Sequence, residues 1–223
     1  MQAGRLEGSR ILCVRNLAFA SNTYICPLDA EQCVIIDPGM SPELIDGTLM
    51  HHGLVPAAIL CTHGHFDHVG SADFFQKKYG ARMYLHRADA RIVKSANFFL
   101  MASRIGLRIA TPVADALLDD GGVVSVGSAT FIFHHAPGHT PGSCLVEHNG
   151  TLFSGDTIYR DGIGEASLPG DDPARLRASI LNAWQRFPDD TVVRPGHGGS
   201  ASLGEIKAGN VGLRHFLQLD GRT

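Results

Sequence analysis

Cys61-Thr62-His63-Gly64-His65-Phe66-Asp67-His68 sets four potential metal ligands within six consecutive positions, directly after the apolar run Ala57-Ala58-Ile59-Leu60. Imidazole nitrogen and carboxylate oxygen are the donors that zinc and its borderline neighbours prefer. The run before the ligands is short, apolar and preceded by Pro56, which predicts a buried strand with the ligands in the loop at its C-terminal end. Gly64 allows a tight backbone path, so His63 and His65 can face one ion while Asp67 and His68 are displaced toward a second. A polar surface loop is the plainer reading in a chain with 12 histidines, but His, His, Asp and His on one loop has few structural uses.

The 223 residues are expected to form a single domain spanning 1–223, long enough to bury a full core. A hydrophobic content of 44% and a charged content of 18% describe a globular chain rather than a disordered one. With a net charge of −3 and no run of Lys or Arg, nucleic acid is not an expected partner. The five cysteines (Cys13, Cys26, Cys33, Cys61, Cys144) form no CxxC pair and read as buried, reduced thiols, which suits a cytoplasmic protein. The N-terminus lacks a signal-peptide pattern, and no apolar run reaches the roughly 18 residues of a membrane span.

Outward from the ligand cluster, strands are expected at 11–14, 23–26 and 33–36, an antiparallel start rather than a βαβ repeat. Ser41 as N-cap, Pro42, Glu43 and the spacing of Leu44, Ile45 and Leu49 predict a helix ending at Gly53. A second helix is expected over 72–79, closed by Gly80, and a strand at 83–85. Residues 87–109 show helical spacing with interruptions, and the patch Phe98-Phe99-Leu100-Met101 is compatible with core packing, a lid over the site or a contact between copies in a homo-oligomer. Strands follow at 123–126 and 130–133, then a hairpin of 145–147 with 151–153 over Asn149-Gly150. Asp172-Pro173 opens an amphipathic helix stopped by Pro188, residues 191–193 form a last strand, and Ser202 with Glu205 makes a capping box.

Three further expected strand ends each deliver one ligand type in a glycine-rich context: His139, Asp156 and His197. With the first loop they make five histidines and two aspartates, enough for two ions sharing one carboxylate. The other seven histidines lack such contexts and are assigned to packing or surface.

The segments HGHFDH (63–68), APGHTPGS (136–143), SGDTIYR (154–160) and RPGHG (194–198), in this order over nearly the whole chain, resemble the metallo-β-lactamase superfamily and, within it, short glyoxalase II-like (hydroxyacylglutathione hydrolase-like) proteins. The resemblance implies an αββα sandwich, two mixed sheets face to face with helices outside. It further implies that His63, His65 and His139 hold one divalent metal, that Asp67, His68 and His197 hold a second, and that Asp156 bridges, the metals being zinc, with iron or manganese as alternatives. Asp67, His68 and Asp156 form the implied catalytic set. Two cations about 3.5 to 4 Å apart can hold a hydroxide, polarise a carbonyl and stabilise a leaving thiolate, so an acyl thioester is the natural substrate and no nucleophilic Ser or Cys is needed. Asp37, at the end of a core strand, is a candidate to orient a metal-ligating imidazole.

Related short proteins continue after the bridging aspartate with a segment like GRTDLP, where this chain has Gly164-Glu165-Ala166-Ser167-Leu168-Pro169. An acid in place of the cation disfavours an anionic substrate, which leaves Tyr159 and Arg160 as the side chains expected to touch a glutathione thioester. Persulfide dioxygenases, which use one iron at the positions of His63, His139 and Asp156, share these motifs and form the alternative. A lactonase is a further one. A nuclease would want a basic surface, and a β-lactamase an export signal.

Overall fold

The computed structural model describes residues 11–164 and 170–218. The first half runs β1 (Leu12–Arg15), β2 (Asn22–Pro27), β3 (Gln32–Ile36), α1 (Pro42–His52), β4 (Val55–Leu60), a one-turn α2 (Phe66–Val69), α3 (Ala72–Tyr79), β5 (Arg82–His86), α4 (Ala90–Ala102) and β6 (Ala116–Leu118). The second runs β7 (Gly122–Val126), β8 (Ala129–His135), β9 (Cys144–His148), β10 (Thr151–Gly155), α5 (Pro173–Arg186), β11 (Val192–Pro195), β12 (Ala201–Ser202), α6 (Leu203–Gly209) and α7 (Val211–Phe216).

Among the described residues the strands form two six-stranded sheets, ordered β1-β2-β3-β4-β5-β6 and β12-β11-β10-β9-β8-β7. Both are mixed: β1, β2 and β3 pair antiparallel and β3 through β6 parallel, while β10 and β11 make the parallel pair of the second sheet. Period-two side-chain alternation explains why both faces of each sheet are buried. In β3, Val34 and Ile36 join Tyr24, Leu60, Phe131, Phe133 and Phe153 between the sheets, while Cys33 and Ile35 turn outward to Leu49, Phe75 and Val93 of α1, α3 and α4. On the far side, Leu152 and Val193 meet Leu176, Ile180, Leu203 and Leu213 of α5, α6 and α7. The layering is therefore helix, sheet, sheet, helix, as the resemblance implied. No helix among the described residues is long and apolar enough to cross a membrane.

Local signals held in several places. Asn149 and Gly150 both take positive φ, 45° and 70°, the type I′ geometry that matches the twist of the β9–β10 hairpin. The capping box is complete, with Glu205 N donating to Ser202 Oγ at 3.2 Å and Ser202 N to Glu205 Oε2 at 2.7 Å.

Three expectations need correction, and one reading left open divides. Pro56 lies inside β4, not before it, at the point where the β3–β4 register shifts, and a bulge is where a residue without an N–H can sit in a sheet. The Ser41 hydroxyl does not cap α1; it accepts from Leu17 N at 2.9 Å and so ties the β1–β2 loop to the helix. The Phe98–Met101 patch divides, with Leu100 buried in the first core while Phe98 and Met101 are 61% and 63% exposed. Cys13 is exposed, whereas the other four thiols are buried.

Candidate metal centre

The strands β3, β4, β10 and β11 bring their C-terminal ends to one edge of the sandwich, and the chain leaves each of them carrying a ligand or a group that orients one. His63 and His65 follow β4. Asp67 and His68 ride on α2, which sequence reading took for loop; its single turn keeps both side chains buried and close. His139 comes from the β8–β9 connection, Asp156 from the residue after β10 and His197 from the loop after β11. Backbone bonds stitch the two sheets together at this edge, Cys144 N donating to Thr62 O at 2.8 Å and Asn22 N to Gly196 O at 2.6 Å, while within the first half the Ser21 hydroxyl donates to Asp67 O at 2.7 Å.

The ligand atoms gather in two trios, His63/His65/His139 and Asp67/His68/His197, each with its atoms within 4.8 Å of one another. Asp156 stands between them. Its Oδ1 lies 3.4 Å from His68 Nε2, and its Oδ2 lies 3.4 Å from His139 Nε2 and 3.5 Å from His197 Nε2. All seven residues named from the sequence are thus brought together.

On three of the five imidazoles the ring nitrogen facing away from the centre is engaged, which orients the inward nitrogen. His139 Nδ1 donates to Gly164 O at 2.7 Å, and His68 Nδ1 to Asp37 Oδ2 at 3.1 Å. His63 Nδ1 donates to Thr62 Oγ1 at 3.1 Å, and that hydroxyl donates in turn to Asp37 Oδ2 at 2.7 Å. Asp37 therefore orients His68 directly and His63 through Thr62, while its Oδ1 accepts from Thr62 N at 2.7 Å. Asp37, His63 and His68 also form a cluster by distance, but both Asp37 oxygens are already engaged by donors, so it acts as an orienting group. Its φ of +51° is the left-handed conformation that Asp tolerates better than most residues. Thr62 was invisible to sequence reading, since a hydroxyl beside a ligand carries no spacing signal.

With the outer nitrogens satisfied, His63 Nε2, His68 Nε2 and Asp156 Oδ1 are buried without a hydrogen-bond partner. His65 Nδ1 and His139 Nε2 face each other at 3.0 Å. A buried neutral imidazole nitrogen and a buried carboxylate oxygen without a donor, set among further ring nitrogens and the Asp67 carboxylate, are an environment a cation satisfies, so the donor set fits metal ions.

The model of the metallo-beta-lactamase superfamily matches residues 17–197, which include every residue of this centre. The chain belongs to that superfamily. Its relatives include the probable metallo-hydrolase YqgX of Bacillus subtilis, 33% identical over 80% of this chain and 85% of that protein. The hydroxyacylglutathione hydrolase GloC of Haemophilus influenzae is 31% identical over 86% and 92%. Among solved structures, BLEG-1 B3 metallo-beta-lactamase superposes with a TM-score of 0.84 at 33% identity, covering 92% of this chain and 99% of that one. TTHA1623 in a di-iron-bound form gives 0.80 at 33% identity, covering 90% and 98%.

Charge separates the two trios of this metallo-beta-lactamase superfamily member. Burial, with the neighbouring imidazoles, holds His63 well below its ordinary range and His65 down at about 3. Burial acts the same way on His68 and His197, but the carboxylates of Asp156 and Asp67 outweigh it, raising His68 well above the ordinary range and His197 to about 9. Correspondingly, Asp67 and Asp156 are lowered: burial alone would raise them, and His68 and His197 overcome it.

Tyr159 is half-buried with its ring 6.1 Å from that of His197, and its phenol is pushed up first by burial and then by the nearby Asp156 carboxylate. Arg160 is placed differently. Its side chain is exposed, donates from Nε to Asp161 Oδ2 at 2.7 Å and lies over Gly199, so Tyr159 rather than Arg160 meets the ligand set. Glu165, on which the departure from the GRTDLP-like segment turns, lies outside the described residues.

Proposed function

We propose that the chain is a glyoxalase II-like thioesterase, a hydrolase that uses two divalent metal ions. The observation that carries this reading is the placement of Asp156, whose two oxygens reach both trios at 3.4–3.5 Å. A carboxylate so placed suits a bridge, with His63, His65 and His139 holding one ion and Asp67, His68 and His197 the other. Zinc suits the donor set, and the di-iron form of TTHA1623 makes iron an equal candidate, with manganese behind. Such ions supply Lewis acidity and a water acidic enough to attack at neutral pH.

The chain's own groups do the rest. Asp67, His68 and Asp156 present the negative and neutral donors that fix where attack occurs, and Asp37 keeps His68 from rotating. Tyr159, kept protonated by burial and by Asp156, offers an O–H to the acyl oxygen or the leaving sulfur of a bound thioester. No nucleophilic cysteine enters the scheme, because burial pushes Cys33 up to about 12 and raises Cys61 and Cys144 as well.

The test is hydrolysis of S-D-lactoylglutathione by protein of measured metal content, run beside a non-glutathione thioester and a lactone of similar size. Thioester hydrolysis is the expected result, and a preference for the glutathione substrate would mean that Glu165 does not stand in its way. Cleavage of the other esters alone keeps the metallohydrolase and discards glutathione as the handle. One iron per chain with oxygen uptake on glutathione persulfide would replace hydrolysis by the dioxygenase reading.

A further inference from the structure

Asp89 is fully buried at the start of α4, in the N-cap position, yet its side chain caps nothing in that helix. Both of its oxygens reach elsewhere. Oδ2 accepts from Gly64 N at 2.8 Å and from Thr140 Oγ1 at 2.7 Å, and Oδ1 accepts from Gly142 N at 2.6 Å. Gly64 is the residue between His63 and His65, and Thr140 is the residue after His139. One carboxylate therefore grips both backbone segments that deliver the first trio, one from each sheet. No hydrogen bond of Asp89 reaches Asp67, His68, His197 or the residues beside them.

The two glycines make room for this acid. A Cβ on Gly142 would stand 2.6 Å from Asp89 Oδ1, and one on Gly64 would stand 3.1 Å from Asp89 O and 3.2 Å from Asp89 Cβ. Gly64 does not take positive φ, so its role in the HGH segment is close approach rather than the turn conformation expected from the sequence. Thr140 extends the clamp inward, sharing its hydroxyl with Ser143 Oγ at 2.8 Å, while Thr140 N donates to Ser143 Oγ at 3.0 Å.

We propose that Asp89 is a positioning residue that sets the metal affinity of the His63/His65/His139 trio and leaves that of the Asp67/His68/His197 trio alone. The proposal rests on the two-metal reading above. Two loops from different sheets must hold three imidazoles in one cluster, including the 3.0 Å approach of His65 Nδ1 to His139 Nε2. Three hydrogen bonds to one buried acceptor fix the spacing of those loops without occupying any ligand atom. Replacing Asp89 by Asn keeps the shape but turns an N–H₂ toward at least one donor, so the grip on one loop is lost.

The experiment is titration of the metal-free, full-length protein with zinc against a chromophoric chelator, for the wild type and Asp89→Asn. The expected result is a loss of about 10- to 100-fold in affinity at one of two sites, with the other unchanged. In a His197→Ala background the loss should fall on the remaining tight site, and in a His65→Ala background Asp89→Asn should add nothing. Thr140→Val, which removes a single bond of the clamp, should show the same selectivity in smaller degree, and it keeps the proposal testable if Asp89→Asn fails to fold. Equal weakening of both sites, or no weakening at either, overturns the proposal. A wild type that binds zinc twice but cleaves no thioester would sink the thioesterase while leaving Asp89 in place; a wild type that binds zinc once sinks the two-metal reading, and Asp89 then stands or falls on whether that one affinity drops.

Discussion

The two ligand trios lie side by side with Asp156 between them, three imidazoles in one and a carboxylate with two imidazoles in the other, and they stand in opposite ionic states. His63 and His65 sit among other imidazoles in a dry pocket, and burial keeps them neutral. His68 and His197 sit against Asp67 and Asp156, and those carboxylates hold them protonated. The first cluster is a set of bases with unfilled lone pairs, the second a closed ion-pair network in which protons stand in for the cation. What differs is where the carboxylates fall, and that follows from α2, which turns Asp67 and His68 to the side of His197 while the straighter segment before it leaves His63 and His65 facing His139.

Removing the shared group is the strongest way to break this comparison. Asp156→Ala should lose most metal at both trios and reduce hydrolysis by about 10³-fold or more, the scale of a metal-dependent attack losing its centre. Metal analysis beside kinetics checks it, and a variant that retains two metals would mean that Asp156 does not join the trios. A smaller effect, and one that sharpens the comparison, is pH. Zinc must displace protons from His68 and His197 but not from His63 and His65, so the second site should tighten by about tenfold per pH unit for each proton displaced as pH rises toward 9. The first site should show no such slope from His65 above pH 6. Equal slopes would mean that the charge difference is not real.

The same shifts set the acid and base limits of the metal-free fold. His197 is raised above its ordinary 6.5, so its contribution is complete below that pH and is lost as pH rises through about 9. His65 is depressed, so its contribution is present above 6.5 and is lost as pH falls toward 3. Thr62→Val makes the smallest change. It removes the hydroxyl that carries Asp37's orienting effect to His63 and leaves the Asp37–His68 bond in place, so a loss of about 3- to 10-fold is expected at the first site only. Zinc titration reads this directly, and a loss at the second site would argue against the relay.

Much of this was written in local pattern. Cys33-Val34-Ile35-Ile36 announces a strand buried on both faces, Asn149-Gly150 a hairpin, and the seven ligands stand at the strand ends their motifs suggested. Features that depend on distant partners were not legible. Pro56 reads as the residue before a strand because nothing in the sequence shows the bulge that admits it. The one turn of α2 is too short to show helical periodicity, and three-residue β6 and two-residue β12 are too short to alternate. Ser41 looks like a cap because its position is right, although Leu17 N claims the hydroxyl. Asp89 has no motif at all; its only trace is that Gly64 and Gly142 are glycines, and that becomes meaningful only once the three segments are seen together. Arg160 shows the converse, a cation next to a motif whose charge is spent on Asp161.

His65 and His139 are 74 residues apart in sequence and come from different sheets, as do His68 and His197. An ion held in either trio is therefore a tie between the two halves of the sandwich, one whose strength depends on supply. A ligand that binds only the folded state adds about 2.7 kcal/mol when its free concentration is a hundred times its dissociation constant, and nothing when it is withdrawn. The cohesion of the two layers thus becomes a gauge of free metal: a cell that starves the protein of its ions weakens the seam between the sheets as well as silencing the chemistry at their edge.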